Sequence, residues 1–240
     1  MANSTDQMAN TKSSKRCIFC TDGNGETRDH VPPRSFFPAK LPPRTRLITV
    51  PCCRRCHSIS QRDDALIRNL FVSFVETEST PYVKHDLLFK RDRSFDRHSA
   101  ELRRLIQLTR PVEVRSPGGI IVRDDLAFDL KAPVVTAFLT RLCRGLLWHE
   151  FKLQYFEGEF EWRMNMDPDP RVYEGCARLG RLRKVHDVFA YGVTQPKGSE
   201  PGWLIINFYG RFEILARVTM LRINIAGGEI RGQAVRTCKA

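Results

Sequence analysis

The chain has 240 residues, with 39 Lys and Arg against 27 Asp and Glu, a formal charge of +12. That length holds one large domain, or a small one beside a medium one, and the charge favours a polyanionic partner bound through phosphate contacts. Apolar runs of the ~18 residues that a membrane span needs do not occur, which excludes an integral membrane helix.

Residues 1–15 are polar and rich in Ser, Asn and Thr, with no apolar leader core, and read as a disordered tail on a protein expected to be cytoplasmic. In a reducing compartment, paired cysteines serve more often as zinc ligands than as disulfides. Cys17-Ile-Phe-Cys20 is the first such pair. A Gly-rich turn (Asp22-Gly23-Asn24-Gly25) follows, then Thr27-Arg28-Asp29-His30 in a short strand. Pro32, Pro33, Pro38, Pro42 and Pro43 keep the next stretch out of helix. Leu47–Val50 is a second short strand leading into Cys53-Arg-Arg-Cys56-His57. A helix should follow, since Leu66, Ile67, Leu70, Phe71, Phe74 and Val75 recur at helical spacing, with Asp63 and Asp64 near its start. Two Cys-x2-Cys pairs suit a tetrahedral Zn²⁺ held by Cys17, Cys20, Cys53 and Cys56. Cys52 adjoins Cys53, but the x2 spacing to Cys56 favours Cys53. Cys143 and Cys176 read as small core residues.

Pro81 and the charged stretch Lys84–Arg97 mark a boundary, which gives a module over residues 16–78 and an α+β region over 79–240. In the second region, Ser116–Gly119 is a turn before a strand at Ile120–Val122, and 132–152 is an amphipathic helix. A shorter basic helix is expected around Arg171–Lys184. Asp187–Thr194, Trp203–Tyr209 and Phe212–Val218 should form an antiparallel meander with helices on one face. The fold class is therefore α+β throughout. His85, His98, His149 and His186 join no constellation.

The chemistry lies in the first module, which also holds half of the net charge: residues 1–60 carry ten Lys and Arg against four acids. Phosphodiester hydrolysis needs a deprotonated water and stabilisation of charge on the phosphoryl and leaving oxygens, which one divalent ion can provide. Asp29 and His57 are the natural pair for a hard ion such as Mg²⁺ or Mn²⁺. His30 is the residue type for a general base, although on a regular strand it would point away from Asp29. Arg34, Arg54 and Arg55 are candidates for holding backbone phosphate.

Cys-x2-Cys, Asp-His, then Cys-x2-Cys-His resembles the HNH endonuclease family, in its four-cysteine, zinc-bound branch with the ββα-metal fold. The stretch from Asp29 to Pro38 and Leu47–Pro51 is similar to bacterial HNH proteins with a longer C-terminal region. The resemblance implies structural zinc at the four cysteines, a catalytic ion on Asp29 and His57, His30 as base, and double-stranded DNA as substrate. Two positions depart from the family pattern. Thr45-Arg46 stands where the middle Asn is expected, and His57 stands where many relatives have Asn. The rival expectation is a degenerate zinc-dependent module that binds nucleic acid or protein without cutting.

Overall fold

The computed structural model describes residues 16–20, 23–74, 83–153, 156–165, 171, 174, 182–197, 200–225 and 228–230, except the side chains of 84, 123, 156–157 and 220–230. Cys176, Cys238 and Pro81 lie outside them. The architecture is α+β with antiparallel sheets, as the sequence indicates. Strand β1 (Thr27–His30) pairs antiparallel with β2 (Thr49–Cys52), setting Thr27 against Cys52 and His30 against Thr49. Pro33 opens a single 3-10 turn over Arg34–Phe36 in the long connection between them.

β2 runs into helix α1 (Arg54–Ser73) through Cys53, whose sulfur accepts from the Cys56 amide as N-cap. The helix thus begins nine residues before Asp63, which was expected near its start, and the Cys53 sulfur caps it. Its second half buries Leu66, Ile67, Leu70, Phe71 and Val72. A π-turn (Val83–Leu87) leads into α2 (Leu88–Arg97), α3 (Ser99–Leu108) and a two-stranded ribbon of β3 (Thr109–Arg115) and β4 (Ile121–Phe128). Helix α4 (Pro133–Phe151) starts on Pro133, whose missing N–H costs nothing at a first turn, and ends on left-handed Lys152.

The remaining strands form one antiparallel sheet: β5 (Phe156–Asn165), β6 (Leu182–Val185), β7 (Phe189–Val193), β8 (Gly202–Phe208), β9 (Phe212–Ile225) and β10 (Gly228–Ile230). β6 to β9 make the meander, with β5 on the long β9. Leu182–Val185 is strand, not the end of the basic helix expected there; Lys184 and Arg183 alternate across a sheet edge rather than along a helix face. No helix among the described residues is long and apolar enough to cross a membrane.

A single buried cluster runs from Ile18, Val31 and Phe36 through α1 and α4 to β7, β8 and β9, and it crosses the 78/79 boundary unbroken. Its centre is aromatic. Phe71 of α1 stacks on Phe212 at 4.7 Å, and Phe36 of the β1–β2 connection stacks on Phe138 of α4 at 5.3 Å. Phe208 meets Phe36 and Phe71. Such offset and edge contacts add to the area each ring removes from water. α4 reaches the short hairpin closely because residue 145 is Gly: a Cβ there would lie 2.5 Å from Val31 Cγ2. Gly145→Ala should therefore destabilise the protein by about 1–3 kcal/mol through overpacking. Denaturant unfolding should show Val31→Ala in the same chain recovering part of that loss. A double-variant loss equal to the sum of the two single losses would mean that the two positions do not press on each other.

Candidate metal centre and active site

The four cysteines converge. The sulfurs of Cys17, Cys20, Cys53 and Cys56 all lie within 4.8 Å of one another, and Cys20 Sγ stands 3.8 Å from Cys53 Sγ. Zinc–sulfur bonds of about 2.3 Å in a tetrahedron place ligand sulfurs roughly 3.8 Å apart, so this donor set could hold a metal ion such as zinc. Each pair forms a knuckle: Cys17 Sγ accepts from the Phe19 amide and Cys53 Sγ from the Cys56 amide, both at 3.4 Å. Cys17 N donates to Gly23 O, and Ile18 N to Pro51 O, which ties the first knuckle to the hairpin. Cys52 is buried beside the cluster but is not one of its four members. A hydrogen bond with Cys52 brings Cys17 down to about 4, while Cys52 itself is pushed up. Burial, then the Cys53 and Cys17 sulfurs, push Cys56 above the ordinary thiol range. Four sulfurs this close ionise together only around a cation.

Gly23 was read only as a turn residue. A Cβ on it would meet Cys53 Cβ at 2.6 Å and Cys53 Sγ at 2.8 Å, and it would approach Cys20 Sγ at 3.2 Å. The turn must pass over the sulfurs without a side chain. The sequence signal was the Gly-x-Gly turn so close behind a Cys pair.

Beyond the knuckles, Asp29 and His57 come together. His57 sits in the first turn of α1, its amide donating to Cys53 O, and its Nδ1 lies 3.4 Å from Asp29 Oδ1. That Nδ1 is buried and has no hydrogen-bond partner. Its Nε2 is 2.9 Å from Gln61 Nε2. Asp29 is buried, and its Oδ1 also accepts from the His30 amide at 3.1 Å. His30 is the last residue of β1, and the chain turns directly after it. Asp29 and His30 both line one small concavity, with Val31, Pro32, Phe138 and Arg141. Burial holds the His30 imidazole below its ordinary value, with Asp29 opposing and the Arg34 and His57 charges adding.

Of the three arginines singled out, Arg54 and Arg55 open α1 and are exposed, Arg54 lying 3.6 Å from Glu26. Arg34 is employed inside the loop. Its guanidinium donates to the carbonyls of Phe37, Pro38 and Ala39 at 3.3, 2.7 and 2.7 Å. Thr45, near the missing middle Asn, caps its own turn by donating to Pro42 O. Two residues that sequence reading did not connect to the site are Arg141 and Asp64. Arg141 of α4 donates to Asp29 Oδ2 at 3.0 Å and to Asp64 of α1. Nothing in the spacing of residues 29, 64 and 141 announces this trio.

Comparison with protein-family models, with curated proteins and with solved structures gave no match. The site must be read from its own geometry.

The purified protein is expected to carry about one tightly bound zinc, and Gly23→Ala should lower zinc occupancy or the thermal midpoint as Cys20→Ser does. Elemental analysis finding no zinc in well-folded protein would remove the metal centre from this description.

Proposed function

We propose that this protein is a metal-dependent endonuclease of the HNH type that hydrolyses phosphodiester bonds in DNA. The observation that supports it best is the buried, unpartnered Nδ1 of His57 facing Asp29 Oδ1 at 3.4 Å, beside His30. Two donors of a divalent cation, each about 2.1 Å from it at a right angle, stand roughly 3 Å apart, so this pair fits one. Bound there, Mg²⁺ or Mn²⁺ supplies charge stabilisation at the phosphoryl and leaving oxygens.

The chain's own groups do the rest. Asp29 offers Oδ1 from a carboxylate whose orientation is fixed by the His30 amide and Arg141. His57 offers Nδ1 when it carries its proton on Nε2, and the Gln61 amide oxygen, exchanged with its nitrogen by a flip, accepts that proton's hydrogen bond. His30, whose imidazole burial shifts toward its neutral form, takes the proton of the attacking water as general base. Phe138 and Leu142 wall the concavity and limit bulk water. Arg54 and Arg55, exposed three and two positions before His57, are placed to meet backbone phosphate, a contact that positions the duplex without reading its sequence.

Supercoiled plasmid tests this reading. Wild-type protein should nick or cut it with Mg²⁺ or Mn²⁺ and not with chelator, and His30→Ala should slow cleavage by roughly 10²–10⁴-fold. Zinc content and DNA affinity should stay unchanged in the variant. A variant as fast as wild type removes His30 as base. A zinc-loaded wild type that binds DNA but cuts with no divalent ion makes the module a binding device.

A further inference from the structure

Arg141 is set between two buried carboxylates from different elements. Its Nη1 reaches Asp29 Oδ2 on β1 at 3.0 Å, and its Nη2 reaches Asp64 Oδ1 on α1. The three side chains are 15%, 7% and 9% exposed. Only a planar guanidinium can bridge two acids through separate nitrogens in this way; a lysine ammonium is a point charge on a flexible stem. Here one guanidinium is shared by two buried carboxyl groups, from β1 and from α1. The remaining acceptor, Asp29 Oδ1, faces His57 Nδ1 at 3.4 Å.

We infer that Arg141, anchored by Asp64, is a positioning residue for the cation site: it takes one oxygen of Asp29 and aims the other at His57. Asp64 holds the guanidinium in that orientation from α1. The inference rests on the cation site proposed above and adds that α4, through Arg141, is a structural member of it. Arg141 touches the ion's ligand rather than the ion. Losing a hydrogen bond behind a ligand of this kind typically costs about 10–100-fold in metal affinity.

The test is Mn²⁺ binding to zinc-loaded, full-length protein without DNA, followed by electron paramagnetic resonance, for wild type, Arg141→Lys and Asp64→Asn. Both variants should weaken Mn²⁺ binding by about 10–100-fold with zinc content and circular dichroism unchanged. In Asp64→Asn, plasmid cleavage should recover at high Mn²⁺, since His30, Asp29 and His57 remain. Should Arg141→Lys fail to fold, Asp64→Asn, which keeps the arginine, carries the test. Unchanged Mn²⁺ affinity in folded variants overturns the inference and leaves the nuclease reading standing. Tighter binding in Arg141→Lys also overturns it, because Arg141 would then mask Asp29. A wild type that neither binds Mn²⁺ nor cuts overturns both.

Discussion

One face of α4 holds the candidate site in place. Phe138, Arg141 and Gly145 follow at helical spacing and meet, in turn, Phe36, Asp29 and Val31. A ring stack, an ion pair and a backbone-close approach thus bear on the same nine-residue stretch, 29–37. On its other flank that stretch is tied to the cysteine cluster through the β1–β2 ladder, which sets Thr27 against Cys52. A two-stranded hairpin is marginal by itself. Clamped between a cysteine knuckle and a core helix, it can present Asp29 and His30 with little freedom.

The charge distribution divides the work. The chain as a whole is strongly basic, yet the described centre is a buried pair of carboxylates around a single guanidinium. A polyanion attracted by the exposed arginines would be repelled by Asp29 and Asp64 unless a cation intervened. Exposed arginines together with a pair of buried carboxyl groups form an arrangement that the proposed function would use, with an ion joining phosphate to protein. The same arrangement suits a mere anion-binding surface badly, because such a surface gains nothing from acids beneath it.

Much of the first module was legible because its signals are local. Cys-x2-Cys spacing, a strand of four residues ending in Asp29-His30, and the direct run from strand to knuckle to helix all occur within short windows, and the structure places Cys17, Cys20, Cys53 and Cys56 together. The meander over β7, β8 and β9 and helix α4 were equally readable from alternation and periodicity. β5 was passed over although Phe160, Trp162 and Met164 alternate with Glu161 and Arg163, a period-two signal obscured by its many charges. Helix α2 was taken for part of a charged boundary and α3 was passed over, since between them they bury only Leu105. Arg34 looked free because sequence cannot show carbonyls folding back onto a guanidinium. Arg141 was invisible for a deeper reason: its partners are 112 and 77 residues away, and only tertiary packing makes them neighbours.

On the proposed reading, two kinds of metal site would lie side by side, a sulfur cage and an oxygen–nitrogen pair. Anomalous diffraction from crystals of the zinc-loaded protein soaked in Mn²⁺ tests it most directly. The account predicts a zinc-edge peak among Cys17, Cys20, Cys53 and Cys56, and a separate manganese peak touching Asp29 Oδ1 and His57 Nδ1, with Arg141 still on Oδ2. Zinc among the cysteines with no manganese between Asp29 and His57 would contradict it.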